Sequence, residues 1–300
     1  MKYHSPVLLS ESVDGLSVKP KGVYVDLTFG GGGHSRAILD LLDNDGRLFG
    51  VDMDADAEAN AFGDNRFQLL KTNYRYFANF LEYQEILPVD GILADLGISS
   101  HHIDVPERGF SYRFDAPLDM RMNQQAEVDA GKVLNTYSKE DLTQMFLEYG
   151  ELNRLSEEIA KEIVGLRRRK PLETTFDLVE VVKTVMRGKV NNQVLSKVFQ
   201  AIRIEVNEEL DSLKEMLESV PRVLSCGGRV VVITYHSLED RLVKNFFKYG
   251  QFEKENNGEQ YEKDWSLKPV NKKVIKPHYK EVEKNKRARS AKLRIAEKIC

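Results

Sequence analysis

The chain has few cysteines, no long apolar run and no large surplus of either charge. Cys226 and Cys300 have no metal-type spacing, and no stretch approaches the roughly 18 apolar residues that cross a bilayer. Met1–Ser12 lacks the basic start and apolar core of a secretion signal. We therefore expect a cytoplasmic protein with reduced thiols, no metal cluster and no membrane partner.

Charge is unevenly distributed along the 300 residues. Leu267–Cys300 has 12 Lys/Arg and 3 Asp/Glu, a net charge of +9, so the rest of the chain carries −12 of the total of −3. Such a run is often only solvated surface. Here Trp265, His278 and Tyr279 are interleaved with the cations, a combination typical of phosphate contact with base stacking. The basic tail therefore favours a nucleic-acid partner.

One stretch, Val23–Ser35, predicts a strand, a turn with four consecutive glycines and the start of a helix. Glycine lets the backbone adopt positive φ and lets a ligand approach the main chain, while the amides that open the helix carry partial positive charge. A nucleotide-like ligand fits there, and a glycine-rich hairpin or linker is the structural alternative. The third position of G-x-G-x-x-G falls on Ser35, so a methyl donor is at least as well indicated as a nicotinamide.

Strand and helix signals alternate through the first third of the chain. Arg47–Asp52, Arg66–Leu70 and Val89–Asp95 are strand-like, and helices are predicted from about Ala55 and through Tyr76–Leu81. This α/β alternation predicts a mostly parallel sheet covered on both faces, with the ligand at the carboxyl ends of the strands.

Three aspartates stand at these strand ends. Asp52 lies about 20 residues past the glycine turn, where a carboxylate can accept hydrogen bonds from both hydroxyls of a ribose. Asp54 is the better cap for the following helix, which leaves Asp52 for the ligand. Asp26 is either a turn residue or a partner for a cationic group of the ligand. Asp95 ends a buried apolar strand, where an unpaired charge is costly, so we predict that it also binds the ligand.

From about Ile103 to Asn207 the pattern becomes helical. Ser138–Asp141 and Thr174–Asp177 each open a predicted helix. The longest predicted helix runs from about Asn192 and stops before Pro221, and strand signals resume at Gly227–Thr234. We predict one discontinuous domain, 1–105 with 208–300, and an inserted helical domain, 106–207.

Seven motifs stand out along the chain, at residues 26–35, 90–100, 108–113, 117–122, 199–204, 235–241 and 287–294. Together and in this order they resemble the MraW family, ribosomal RNA small subunit methyltransferase H, and the similarity extends over nearly the whole chain. The resemblance implies a Rossmann-like S-adenosylmethionine-dependent methyltransferase with a mostly parallel sheet, interrupted by an inserted all-α domain that helps to bind RNA.

The same resemblance implies methylation, by S-adenosyl-L-methionine, of the exocyclic N4 of one cytidine in the decoding region of 16S ribosomal RNA. Tyr74 stands where the family usually has Phe, and it keeps the stacking face. His102 replaces a Gln-type residue, and a histidine is shorter but can still form a hydrogen bond. Carried over residue by residue, the donor site comprises Gly32, Gly33, His34, Asp52, Tyr74, Asp95 and His102.

Asp119 and His236 are the predicted catalytic residues. Each is a candidate acceptor of the N4 proton, and orienting N4 is the alternative role for His236. A polar group is unexpected at Asp119, within an otherwise mostly apolar motif, and at His236, directly after an apolar strand. Ser237 is predicted to cap the next helix in a capping box with Asp240, which leaves His236 without a structural role.

Three classes of protein compete. An RNA methyltransferase explains the glycine turn, Asp52 and the basic tail together. A nicotinamide reductase explains only the first two, and a non-catalytic RNA-binding protein explains only the tail. Both a monomer and a homodimer are compatible with the sequence.

Overall fold

The computed structural model describes residues 6–98, 100–189, 191–253 and 265–300, without the side chains of Ser100 and His101. Ser99, which belongs to the motif at 90–100, lies outside the described residues. The chain forms two compact units, Met1–Gly97 with Leu210–Cys300 and, separately, Ile98–Glu209. The borders predicted from the sequence were 105/106 and 207/208.

The first unit is built on a seven-stranded sheet. Its strands are β1 (Val23–Asp26), β2 (Arg47–Asp52), β3 (Phe67–Lys71), β4 (Val89–Asp95), β5 (Leu224–Thr234), β6 (Leu267–Pro269) and β7 (Lys292–Lys298). Their order across the sheet is β3-β2-β1-β4-β5-β7-β6. Strands β1 to β5 are parallel, and β7 is antiparallel to β5 and β6. The predicted α/β fold with a mostly parallel sheet is confirmed.

The strand order reverses between β1 and β4. The chain proceeds from β1 outward to β3 and then returns to β4 on the other side of β1. In open parallel sheets such a switch point leaves a crevice at the carboxyl ends of the strands. Asp26, Asp52 and Asp95 are the last residues of β1, β2 and β4 and therefore share this edge of the sheet.

Helices flank the sheet and form the second unit. None of the described helices is long and apolar enough to cross a membrane. Those of the first unit are α1 (Leu9–Leu16), α2 (Gly33–Leu39), α3 (Phe77–Tyr83), α10 (Glu209–Val223), α11 (Ser237–Tyr249) and α12 (Tyr279–Lys284). Those of the second are α4 (Ser100–Asp104), α5 (Ala130–Thr136), α6 (Lys139–Glu148), α7 (Arg154–Arg167), α8 (Thr175–Val185) and α9 (Asn192–Asn207).

Two apolar cores sandwich the sheet because successive residues of a strand point to opposite faces. On β4, Ile92 packs into the core beneath α3, α10 and α11, whereas Leu93 packs into the core beneath α1 and α2. On β5, Val230 and Val231 divide in the same way. A strand that is buried on both faces has a continuous run of apolar residues in its sequence. This is why these strands could be predicted from the sequence.

The basic tail is part of the sheet. Strand β7 pairs along β5 from Arg229–Glu297 to Thr234–Lys292, and Leu293 and Ile295 are buried. Trp265 is partly buried and packs edge-on against Phe246 of the core, with 5.0 Å between ring centroids. Alternate apolar residues inside the charged run carried the strand signal.

The expectation of two reduced thiols is also wrong for this structure. Cys226 and Cys300 form a disulfide with their Cα atoms 5.6 Å apart. Each lies three residues beyond the Arg229–Glu297 pair, so antiparallel pairing of β5 with β7 sets them opposite one another. Their separation of 74 residues gave no hint of this proximity.

The second unit is all-helical around one core. Ser138 and Thr174 cap α6 and α8 in complete capping boxes, as predicted. The predicted long helix is instead two helices, because Glu208 adopts φ 49° between α9 and α10. Pro221 lies inside α10 and does not end it. Similarly, the helix predicted from Ala55 is a short 3₁₀ helix, Ala55–Asn60.

Candidate functional site

The glycine turn joins β1 to α2 at the crevice edge. Gly30 and Gly32 have φ of 49° and 73°, which side chains disfavour. A Cβ on Gly32 would lie 2.9 Å from the ring of Phe62, and one on Gly33 would lie 2.2 Å from Cγ of Pro6. These glycines are therefore required by the protein's own packing as well as by the turn.

Asp26 holds the turn together. Its Oδ1 accepts a hydrogen bond from the Thr28 amide at 3.1 Å, and its Oδ2 accepts one from Ser35 Oγ at 2.6 Å. The residue is only 1% exposed. Of the two interpretations of Asp26, the structure supports the turn residue.

Asp52 faces the turn from the end of β2. Its Oδ2 accepts a hydrogen bond from the Gly30 amide at 2.8 Å, and its Oδ1 accepts one from the Asp54 amide at 2.9 Å. Asp54 caps the 3₁₀ helix by accepting from the Asp56 amide, as predicted. The Asp52 carboxylate is thus fixed beside the glycine turn, the position predicted from its distance in sequence to that turn.

His34 lies between the N-terminal segment and Asp95. Its Nε2 is 3.1 Å from the carbonyl oxygen of Val7, and its Nδ1 is 3.9 Å from Asp95 Oδ2. The residue is buried, although it stands in the first turn of α2. Val7 therefore covers the glycine turn from a position that the sequence did not single out.

Asp95 is the most unusual group at this edge. Its side chain is 21% exposed, yet its Oδ1 is buried without a hydrogen-bond partner among the described residues. Burial raises the pKa of Asp95, and this rise is opposed by the charge of His34 and by the Tyr235 hydroxyl. The Asp95 amide donates to Thr28 Oγ1 at 2.6 Å, which ties β4 to the turn.

Tyr235 was missed by the sequence reasoning. It follows β5, and its ring would be 2.6 Å from a Cβ on Gly97, so it packs closely on the chain just after β4. Burial and the neighbouring Asp95 carboxylate raise the pKa of Tyr235 well above its usual value. Its place in the motif at 235–241 was the available signal, but only the pairing of β4 with β5 brings it to Asp95.

Tyr74 lies just after β3, at the start of the 3₁₀ helix Tyr74–Tyr76. It is partly buried and packs against the core beneath α3. The predicted position after the third strand is confirmed.

His102 belongs to the second unit, on α4. It is buried and stacked on Phe110, with ring centroids 4.9 Å apart and an interplanar angle of 19°. The prediction that it binds the donor stays a prediction.

Asp119, also in the second unit, forms a two-pronged ion pair with Arg121. Arg121 donates from Nε to Oδ1 at 3.0 Å and from its terminal nitrogen to Oδ2 at 2.6 Å. Burial raises the pKa of Asp119, but the hydrogen bonds from the Arg121 side chain and amide outweigh it, so the pKa lies below its usual value. Such a carboxylate is a weak base.

His236 has a structural role, contrary to our prediction. It is the N-cap of α11: its Nδ1 accepts from the Glu239 amide at 3.4 Å, and its Nε2 lies 3.0 Å from Glu239 Oε1. Ser237 is already the first helical residue, because the extended backbone ends at His236. Asp240 does have the expected structural role, but through ion pairs with Lys292 and Arg294 of β7.

The sheet order, with an antiparallel β7 between β5 and β6, and a glycine turn flanked by strand-end carboxylates define a Rossmann-like methyltransferase. Its methyl donor is S-adenosylmethionine. The buried Oδ1 of Asp95 fits such a ligand because it requires a hydrogen-bond donor that the described residues do not provide.

The chain belongs to the MraW methylase family, whose family model matches residues 1–299. Ribosomal RNA small subunit methyltransferase H of Flavobacterium johnsoniae is 53% identical over 300 residues, covering 100% of this chain and 99% of that one. The protein of the same name from Parabacteroides distasonis is 53% identical over 299 residues, covering 99% and 98%. The similarity to these relatives therefore extends over both units.

Proposed function

We propose that the protein methylates the N4 amine of a specific cytidine in the decoding region of 16S ribosomal RNA. The relatives described above are named for small-subunit ribosomal RNA. The choice of cytidine N4 rests on the resemblance of the seven motifs. The structural observation that supports a methyl-donor pocket best is the unsatisfied Oδ1 of Asp95, at the same sheet edge as the glycine turn and Asp52.

The donor-binding roles follow from the chemistry of each side chain. Asp52 Oδ2 accepts the Gly30 amide and Oδ1 accepts the Asp54 amide. A carboxylate has acceptor sites for several hydrogen bonds, so ribose hydroxyls are chemically suitable further donors to it. Tyr74 offers a ring face to the adenine, and Asp95 Oδ1 accepts from an N–H group of the donor. When bound, S-adenosylmethionine supplies a sulfonium-activated methyl group. The full proposed set is Gly32, Gly33, His34, Asp52, Tyr74, Asp95 and His102.

The protein must contribute alignment and proton removal. The lone pair of cytosine N4 is delocalised into the ring, so the amine is a poor nucleophile and gains most from being held in line with the methyl group. An amine that acquires a fourth bond must also release a proton. The target base has to be unpaired or flipped out of its stack to reach the crevice.

Of the two predicted proton acceptors, the geometry supports His236 better than Asp119. Both oxygens of Asp119 are held by Arg121, and its pKa is low. His236 Nδ1 makes only a long contact with the Glu239 amide, and its Nε2 lies 3.0 Å from the Glu239 carboxylate. A histidine oriented by a carboxylate is a common arrangement for a base.

The helical unit is proposed to help bind the RNA. Within Arg167–Lys170, Arg167 donates to the carbonyl oxygens of Leu134 and Tyr137 at 2.7 and 2.6 Å, and Lys170 pairs with Asp177. These two cations have structural partners. Arg168 and Arg169 are exposed and are the members of the run that we propose contact a phosphate.

Transfer of a labelled methyl group from S-adenosylmethionine to small-subunit RNA tests the proposal. We expect N4-methylcytidine after nuclease digestion, and no label on RNA in which the target cytidine is replaced by uridine. Asp95→Ala should abolish transfer by weakening donor binding. Methylation of a cytosine carbon, or of another nucleoside, would contradict the assignment.

A further inference from the structure

A strongly basic surface segment precedes β7. Residues 276–290 contain six Lys/Arg and two Glu, a net charge of +4. The cations with no ion pair to any described residue are Lys276, Lys280, Lys284, Lys286 and Arg289, and all five are exposed. Unpaired cations clustered in this way form a site for a polyanion.

The same segment presents an aromatic pair to solvent. Tyr279, the first residue of α12, is 67% exposed, and its ring centroid lies 4.4 Å from that of His278. Trp265, by contrast, is partly buried and packs against the core. Tyr279 therefore combines an open ring face with neighbouring positive charge, as in surfaces that bind single-stranded nucleic acids.

Two contacts anchor this segment beside the glycine turn. Glu281 accepts a hydrogen bond from the Leu8 amide at 2.8 Å, and the adjacent Val7 carbonyl oxygen contacts His34. The charge of Glu281 also contributes to the raised pKa of Tyr235. Glu281 of α12 therefore lies near Tyr235, the residue that approaches Asp95. The segment thus borders the donor crevice.

We propose that residues 276–290 dock the single-stranded RNA that flanks the target base, with Tyr279 stacked on a base and Lys284, Lys286 and Arg289 against phosphates. This inference rests on the proposed function. A single strand is favoured over a duplex because only unpaired bases expose a face to Tyr279, and because the target amine must itself be unpaired.

Tyr279→Ala in the full chain tests the stacking contact. The probe is a single-stranded RNA oligonucleotide of the decoding region. If Tyr279 stacks on a base, its removal should lower the affinity for this RNA about five-fold or more. Tyr279→Phe should restore binding because it keeps the ring. Tyr83→Ala is the matched control, since Tyr83 is 83% exposed at the end of α3, which points away from the crevice edge. Unchanged affinity in Tyr279→Ala would overturn the stacking role.

The double variant Lys284→Gln/Lys286→Gln tests the phosphate contacts. The log–log slope of affinity against salt should fall by about 1.4, or about 0.7 per lost contact to a single strand. Arg47→Gln/Lys244→Gln removes two exposed charges elsewhere on the first unit and should keep the original slope. An equal fall in both double variants would overturn the assignment of a specific surface.

Donor affinity, measured by calorimetry, should be unchanged in all these variants. If the wild-type protein methylates small-subunit RNA but Tyr279→Ala binds and reacts normally, the docking surface is refuted and the proposed function stands. If the wild-type protein transfers no methyl group to that RNA, the proposed function fails, and RNA binding by the segment carries no catalytic meaning.

Discussion

Replacement of His236 separates its structural role from its proposed chemical role. Asparagine is among the best N-cap residues but cannot act as a base near neutral pH. Alanine can neither cap a helix nor act as a base. We therefore predict that His236→Asn keeps the stability of the wild-type protein and loses its methyl-transfer rate. His236→Ala should lose both.

The expected size of the stability loss follows from the cap that the ring provides to α11. Loss of an N-cap side chain costs about 1 kcal/mol. For a chain of this size each kcal/mol lowers the melting temperature by roughly 2–4 °C. His236→Ala should therefore melt several degrees below the wild-type protein, and His236→Asn within a degree or two.

The rate is measured in a single turnover, with the donor already bound and RNA added in excess. Loss of a base predicts at least a tenfold fall, or about 1.4 kcal/mol, in both variants. Calorimetric affinity for S-adenosylmethionine should be near that of the wild-type protein in His236→Asn. If His236→Asn restores both stability and rate, His236 is only a helix cap, and the proposed role in proton transfer is wrong.

Three further predictions concern the first unit. Asp52→Ala should weaken S-adenosylmethionine binding by about 2–3 kcal/mol in calorimetry, and wild-type affinity in that variant would exclude the ribose contact. Deletion of Lys284–Cys300, which removes β7, should abolish cooperative thermal unfolding; a deleted protein that still melts cooperatively would show that β7 is dispensable. Asp240→Asn should lower the free energy of unfolding at pH 7 but not below about pH 3. Burial raises the pKa of Asp240, but Arg294 and Lys292 outweigh it, so its stabilisation is present above the unfolded pKa and lost on acidification; an equal loss at both pH values would contradict this.

The sequence predicted the elements whose signals are local. Continuous apolar runs identified the buried strands, and the capping boxes at Ser138 and Thr174 are present as predicted. The glycine turn and Asp52 were recognisable because their spacing is fixed by one strand-turn-helix-strand unit. These features depend on residues that are near one another in the chain.

Features that depend on distant residues were missed. The strand β7 was hidden in a charged run, since its apolar residues are buried only by pairing with β5, about 60 residues earlier. The contact of Val7 with His34 and the approach of Tyr235 to Asp95 likewise require the folded sheet. The cap of α11 was misassigned by one residue because histidine and serine adjoin, and only the backbone conformation decides between them.

Three strand-end aspartates that look equivalent in the sequence differ in their hydrogen bonding. Asp26 is satisfied by Thr28 and Ser35, and Asp52 by two backbone amides, whereas Asp95 keeps a buried oxygen without a described partner. Because its pKa is raised, Asp95 destabilises the free protein as the pH rises through that pKa.

Asp95→Asn should therefore raise the melting temperature of the donor-free protein at pH 7, by an amount equivalent to about 1–3 kcal/mol, and should bring little gain below about pH 3. The same change should weaken binding of S-adenosylmethionine, because a neutral amide oxygen accepts a hydrogen bond from an N–H or cationic group less strongly than a carboxylate does. Thermal melts with and without the donor measure both effects. If Asp95→Asn lowers the melting temperature of the free protein, the carboxylate is satisfied within the fold, and its unpaired oxygen is no evidence for a bound donor.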